Sequence, residues 1–527
     1  MNPMLLWLER GVCVVLALLA IAFCMLTVHW PIVNDAIQLH YVCFMMDHGF
    51  VPYRQLIEVN LPGIYLVNWS VMHALGGGSL AWRFFDFLVL AFASAAMVAI
   101  AWPYDRWAGL FAASLLVLFH GRDGMAQSGQ RDLIIAALFL AAYALAFHAL
   151  RQQALERKVL WPMSLFGLCM GFASTIKPTP LPFAVAVLCI VGATLWRRNQ
   201  PMVAPIACAL GAMLLPFVAM AAYLLNHHAL RAFLHLVATV FPYYATLGRE
   251  SLRTLVVTSV APSLRLVVAL TALLIVMRRD WRQWESIALM VGLLFGLASF
   301  VGQGKGFPYH RYPLLAFLLL AAALQFTAAL RDSRVLVRAA GIAGLVFGLT
   351  VGAMCLQRAL QYRQSGDYAN ALSADLNRLG GASLSGGVQC LGWTWHCDAT
   401  LFRMQLVQAT GLFYDYLLFG PQQAPTIQET RTRFWQMLER NPPRVFVVST
   451  GNFLDRPLGY ARLQGWPQFD DYLHTHYALC QQRAFSKPGV ADPEGYRIDQ
   501  EGYRIYVREP APELWTRTTC DAAEPRR

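Results

Sequence analysis

What most constrains this chain is the recurrence of long apolar stretches. A helix crossing the hydrocarbon layer of a bilayer needs roughly 20 mainly apolar residues. Eleven such stretches can be read, at residues 11–29, 84–102, 107–120, 133–150, 160–176, 181–196, 203–225, 255–277, 285–301, 313–330 and 339–357. In lipid every backbone polar group must be satisfied inside its own segment, so these stretches have to be helices. Only 14% of the 527 residues are charged and 57% are hydrophobic, against about 25% charged in a soluble protein. An ordinary soluble enzyme is excluded. The first stretch is too long for a signal-peptide core, has no basic residue before Arg10 and shows no small-x-small cleavage site, so it is expected to stay as an anchor.

The formal net charge is +12, but the basic residues are scattered between apolar stretches instead of forming a nucleic-acid patch. They cluster in alternate loops: Arg106; Arg151, Arg157 and Lys158; Arg197 and Arg198; Arg278, Arg279 and Arg282; Arg331, Arg334 and Arg338. The positive-inside bias makes these loops cytoplasmic. With an odd number of spans, the N-terminus is then cytoplasmic, and the first long loop, residues 30–80, and everything after residue 357 face the periplasm of a bacterial inner membrane. The expected division is a transmembrane domain over 1–357 and a soluble domain over 358–527. Four of the eleven cysteines, Cys390, Cys397, Cys480 and Cys520, lie in that polar C-terminal region. An oxidising compartment favours disulfides among them over a zinc site built with His396.

The outer loops are not plain linkers. Ile37, Tyr41, Phe44 and Met45 share one helical face after Asp35, which predicts a surface helix ending at Gly49. Residues 61–76 form an apolar segment bracketed by Leu61-Pro62-Gly63 and a triple glycine. It is too short for a span and fits a second interfacial helix. A third stripe, Leu230, Phe233, Leu234, Val237 and Phe241, ends at Pro242. Beyond residue 358, helical patterns near 367–379 and 426–440 alternate with strand-like runs at Val445–Ser449 and Tyr503–Val507, so this domain is expected to be α/β.

Asp35 follows the first span directly, and a carboxylate at the membrane boundary needs a partner, water or a use. Its bland role is a helix N-cap. Downstream come Gly49-Phe50-Val51-Pro52-Tyr53-Arg54 and Glu58-Val59-Asn60-Leu61-Pro62-Gly63-Ile64-Tyr65. With Asp35, these residues resemble the GT-C superfamily of membrane glycosyltransferases, in particular the branch of protein O-mannosyltransferases and lipid A aminoarabinose transferase. That branch places an acid after the first span, then G-x-x-P-Y, then a Pro-rich entry to a second surface helix. Here Ala36 follows the acid where an Asp-Glu pair is common, and Leu61 stands for the first Pro of a Pro-Pro. The layout of about eleven spans and an outer α/β domain matches the branch over most of the chain.

The resemblance implies further site residues. Arg83 opens the second span as the family's arginine does. Asp132, at the mouth of the fourth span, matches a second acid, with Arg131 beside it able to touch phosphate; the bland alternative is an Asp favoured at a helix N-terminus. Lys177 ends the fifth span near the expected lipid phosphate, though a lysine there can simply snorkel. The densest cluster is Gln303-Gly304-Lys305-Gly306-Phe307-Pro308-Tyr309-His310-Arg311-Tyr312-Pro313. Basic residues on the outer face run against the positive-inside bias, so Lys305 and Arg311 call for an anionic headgroup, and Tyr309 and His310 complete the family's K-x-x-x-Y-H-like turn. Glu58 is carried as a substrate-binding candidate by its place in the first loop. Arg265, inside the eighth stretch, is a weaker candidate.

The resulting expectation is an inverting glycosyltransferase that takes a sugar from a polyprenyl-phosphate carrier to a glycan, lipid or protein acceptor. Asp35 acts as general base, and protein cations stabilise the departing phosphate. No metal-ligand motif, P-loop or dinucleotide fingerprint stands out; a divalent metal is compatible with the chemistry but not implied. Two rivals are a secondary transporter or lipid-linked saccharide flippase, and a noncatalytic membrane scaffold. The absence of a half-to-half repeat disfavours the first, and the structured first loop disfavours the second.

Overall fold

A computed structural model describes residues 3–152, 156–258, 260, 262–278, 284–362, 367–392, 395–450, 459–485 and 502–509. In chain order the helices are α1 (Pro3–Leu26), α2 (Asp35–Asp47), α3 (Pro62–Leu75), α4 (Ser79–Ala101), α5 (Arg106–Asp123), α6 (Arg131–Arg151), α7 (Glu156–Ile176), α8 (Leu181–Arg197) and α9 (Val203–Asn226). They continue with α10 (Leu230–Thr246), α11 (Pro262–Arg278), α12 (Trp284–Gln303), α13 (Tyr312–Ala329), α14 (Val335–Ala359), α15 (Asp367–Arg378), α16 (Trp395–Arg403), α17 (Pro425–Arg440) and α18 (Pro467–His476). Four strands belong to the C-terminal region: β1 (Val388–Leu391), β2 (Val445–Ser449), β3 (Tyr477–Ala484) and β4 (Gly502–Arg508).

The chain packs as two compact units, and neither is continuous in sequence. The first comprises Met1–Ile32, Asn60–Ala222 and Arg249–Tyr362; the second comprises Val33–Val59, Tyr223–Gly248 and Arg363–Arg527.

The first unit is a helical bundle. Eight of its described helices are long and apolar enough to cross a membrane. Of the other expected spans, α8 and α11 are 17 residues long, and α5 carries Arg106, Arg122 and Asp123 at its ends; 17 residues is still within the length a span can have. α13 and α6 are buried along nearly their whole length. A helix that is apolar on every side belongs at the centre of such a bundle, where packing surrounds it. α9, equally apolar, is mostly exposed, as expected of a helix facing lipid. The eighth stretch starts later than expected: a π-helical turn at Thr254–Thr258 precedes the helix, which begins at Pro262. Proline suits a first helical turn because its missing N–H has no partner there. Arg265 therefore lies in that opening turn and is exposed, not held inside a span.

The second unit is α/β. Its sheet runs β1-β2-β4-β3, with β1 and β2 parallel and the other pairs antiparallel. β2 is buried at every position, which fits a strand paired on both sides. The loop segments pack into this unit as extensions of the C-terminal region. The Tyr41 hydroxyl donates to Leu406 O at 2.9 Å, the Ile57 amide donates to Gly411 O at 2.8 Å, and Arg433 donates to Arg54 O at 2.6 Å. Tyr53, at φ +67° and fully buried, stacks edge-on against Phe233 of α10 at 5.0 Å.

Two expectations need correction. α10 passes through Pro242 and ends at Thr246, because a proline forfeits a single backbone bond and the following tyrosines still find packing, Tyr244 lying 5.9 Å from Tyr416. Asp35 is also not the N-cap of α2: Asn34 holds that place, at φ +55° and without a side-chain cap bond, and Asp35 is the first helical residue. Cys390 and Cys397 form a disulfide, which removes the zinc alternative, and Cys480 is disulfide-bonded too. Cys520, Arg279 and Arg282 lie outside the described residues.

Candidate functional site

Three short sequence elements of the first unit build a polar site at the ends of its helices. The loop after α5 leads through Gly129 into Arg131 and Asp132, the first residues of α6. α7 ends just before Lys177, and α12 ends at Gln303, the start of the basic turn. Lys177 Nζ donates to Asp132 Oδ2 at 2.6 Å and to Gln303 Oε1 at 2.7 Å. Thus the second acid, the lysine and the first residue of the cluster meet at one point. Arg131 donates to Asn60 Oδ1, which ties the Pro-rich motif to the same place.

The basic turn is shaped by its glycines. Gly304 and Gly306 both sit at φ +66°, a left-handed conformation that residues with a Cβ avoid, and they flank Lys305, which is buried. The 3₁₀ turn Pro308–Arg311 follows. Tyr309 lies with its ring centroid 5.9 Å from Lys177 Nζ, within cation–π range, and 4.5 Å from the ring of His310. His310 is buried, Lys177, Arg131 and Lys305 are the charges acting on it, and its Nδ1 has no hydrogen-bond partner among the described residues. Arg311 bonds Asp123 Oδ2 at 3.1 Å and Pro308 O at 3.3 Å, both ends of the contact being buried.

Arg131, Lys177 and Lys305 are gathered about His310, and Arg311 follows it directly; Asp132 pairs with Lys177, and Asp123 pairs with Arg311 and with Arg122. Among the described residues no cluster of His, Cys, Asp and Glu has the makings of a metal centre.

Arg83 is placed differently. Its guanidinium is buried behind this site, bonded to Asp86, to Thr27 O at 3.2 Å and Thr27 Oγ1 at 2.7 Å, and to Ser128 Oγ at 3.3 Å. Asp35 and Glu58 belong to the second unit. Asp35 is half-buried at the start of α2, and Glu58 is fully buried and accepts from the Tyr414 hydroxyl at 3.3 Å. Around Glu58 lie two more buried acids. Burial, with the negative charges of Glu58 and Asp415, pushes Asp398 well above the usual carboxylate range. Burial also raises Asp415, against the pull of Arg462, whose Nε donates to its Oδ2 at 2.9 Å.

Sequence reasoning missed Asp86, His120 and Asp123. The signal was present, since an aspartate and a histidine inside apolar stretches are costly unless partnered or used.

No family profile and no curated relative matches this sequence. Among solved structures, ArnT from Cupriavidus metallidurans bound to undecaprenyl phosphate is similar with a TM-score of 0.57 at 12% identity, over 96% of this chain and 98% of that one. Its apo form gives 0.52 at 13% identity, over 94% and 98%. The Archaeoglobus fulgidus oligosaccharyltransferase tethered to an acceptor peptide gives 0.55 at 11% identity, over 92% of this chain and 73% of that one. The likeness is one of fold: this chain shares the polytopic helical architecture of these structures together with their C-terminal region.

Proposed function

We propose that the chain is an integral membrane glycosyltransferase that moves a sugar from a polyprenyl-phosphate carrier to an envelope glycan, lipid or protein acceptor. The observation that carries this reading is the gathering of Lys177, Lys305, Arg131 and Arg311 about His310, with Lys305 and Arg311 buried, in a fold shared over nearly its whole length with an ArnT solved with undecaprenyl phosphate. An oligosaccharyltransferase of the same architecture has been solved with a dolichol-phosphate, so a lipid phosphate is the ligand class common to both comparisons.

In this reading the phosphate enters the basic turn. Lys305 and Arg311 meet its oxygens, with His310 Nδ1 as a further polar contact, and Lys177 holds Asp132 in place beside them. Asp35 takes the proton of the acceptor hydroxyl as that oxygen attacks the anomeric carbon, and the carbon–phosphate oxygen bond breaks with inversion. The leaving group is a lipid monophosphate whose charge the cations stabilise. The site belongs to the periplasmic side of a bacterial inner membrane, with the N-terminus cytoplasmic, 1–357 as the membrane domain and 358–527 as the periplasmic one.

The test is mass spectrometry of the polyprenyl-phosphate sugar pool and of the envelope glycans in cells with and without the chain. A missing sugar together with an accumulated carrier is the expected result; unchanged pools and glycans overturn the reading. In the purified protein, Lys305→Ala should weaken undecaprenyl phosphate binding about ten- to hundredfold, the worth of a charge-assisted contact. Arg311→Ala is a poorer probe because it also removes one of the ion-pair partners of Asp123.

A further inference from the structure

Behind the basic turn runs a chain of buried polar groups that no ligand can reach. Arg83 and Tyr312 are each 1% exposed, and Asp86 and His120 are fully buried. The Gly129 amide donates to Asp86 Oδ1 at 2.7 Å. Asp86 Oδ2 faces His120 Nε2 at 3.1 Å, and His120 Nδ1 lies 2.7 Å from the Tyr312 hydroxyl. A carboxylate only accepts, so Nε2 donates to Asp86, and Nδ1 shares a hydrogen bond with the tyrosine hydroxyl. Arg83 closes the charge balance of Asp86, and its guanidinium sits over the rings of Phe87 at 4.3 Å and Trp30 at 4.7 Å.

Both ends of this chain are attached to the site. Gly129 precedes Arg131 and Asp132 by two and three residues, and Tyr312 directly follows Arg311. The Gly129 end is tightly built: its φ is +61°, an added Cβ would lie 2.3 Å from the Trp82 ring, and Trp82 Nε1 donates to Ser128 O at 3.0 Å. We infer that Arg83, Asp86, His120 and Tyr312 are positioning residues that form one strut, setting the spacing between the loop that carries Arg131 and Asp132 and the turn that carries His310 and Arg311. His120 is its bridge, the single side chain bonded toward both ends. The functional consequence rests on the proposed donor reading, since a phosphate gripped by the turn keeps its register to Asp132 only while the strut holds.

The strut makes a claim about remote coupling that plain helix–helix adhesion does not. Full-length wild type, Tyr312→Phe and Asp86→Asn would be compared in lipid nanodiscs by amide hydrogen exchange without ligand. Tyr312→Phe removes one hydroxyl, yet exchange in the 124–130 loop should rise about three- to tenfold, the worth of one lost hydrogen bond. Asp86→Asn should do the same to the 305–311 turn, and the double variant should add little to either single one. Changes confined to the segment next to each substitution overturn the strut, as does a rise spread equally over the interior of α6, which would report general loosening. Should Asp86→Asn fail to fold, Tyr312→Phe decides the matter alone. Titration with undecaprenyl phosphate separates the two readings: absence of saturable binding to wild type, with coupled exchange present, sinks the donor reading and leaves the strut standing, whereas normal binding with uncoupled exchange sinks the strut.

Discussion

Single residues carry the sharpest tests. Asp35 stands at the first position of α2, where a carboxylate gains only about 0.3–1 kcal/mol from the helix dipole. Asp35→Asn should therefore fold normally and bind undecaprenyl phosphate while losing about 10²- to 10⁴-fold in turnover, the usual worth of a general base; near-normal turnover in the purified variant would assign the base elsewhere, with Asp132→Asn as the next variant to assay. Asp398 tests electrostatics. Its carboxyl is raised by burial and by Glu58 and Asp415, so its contribution to stability is fully present below its unfolded pKa and is lost as pH climbs through the raised folded value. The thermal midpoint of Asp398→Asn should match wild type near pH 4 and exceed it by several degrees at pH 8, measured on the full-length protein. A difference that does not change with pH would rule out this titration. Legibility at this scale was uneven. Asp132, Lys177, Tyr309, His310 and Arg311 could be picked out because charge and turn residues stand out against apolar sequence. Asp86 and His120 could not be paired from sequence, being 34 positions apart on separate helices and meaningful only once α4 and α5 lie side by side.

Elements were more readable than their junctions. The apolar stretches are helices because lipid leaves the backbone no other solution, and α15, α17, β2 and β4 fall where periodicity put them. β1, four residues long, and β3, with a bulge between Leu479 and Gln481, carry too little pattern to be read. What no periodicity reports is that the segment before Val59 joins the C-terminal region, since the joint is made of backbone. Ile57 pairs with Leu412 in parallel register, and a Cβ added at Gly411 would lie 1.9 Å from Gln55 O. Gly411→Val should prise this joint apart. Limited proteolysis is expected to cut the variant near Gln55 at least tenfold faster than wild type, while cleavage at the exposed Arg198–Asn199 turn after α8 keeps its rate; equal rates near Gln55 would show that the joint is not structural.

For the whole molecule, the reading of eleven spans puts the end of α14 and everything after it outside the cytoplasm. Alkaline phosphatase fused after Tyr362 should be active, and a cytoplasmic reporter at the same point silent; the reverse pattern would invert the proposed sidedness. The second unit gathers its parts from three separated stretches of chain, and this has a consequence in time. Val59 leaves the ribosome 390 residues ahead of Ser449, the end of β2. At about 5–20 residues per second the young first loop waits about 20–80 s for the surface it will pack on. For most of that interval Glu58, fully buried in the finished protein, has no Tyr414 hydroxyl to accept from. A nascent chain halted before Gly411 never ends the wait, so the bond between Glu58 and Tyr414 is an event that only a translated C-terminal region can bring about, and it marks the moment at which the first loop meets its last partner in the chain.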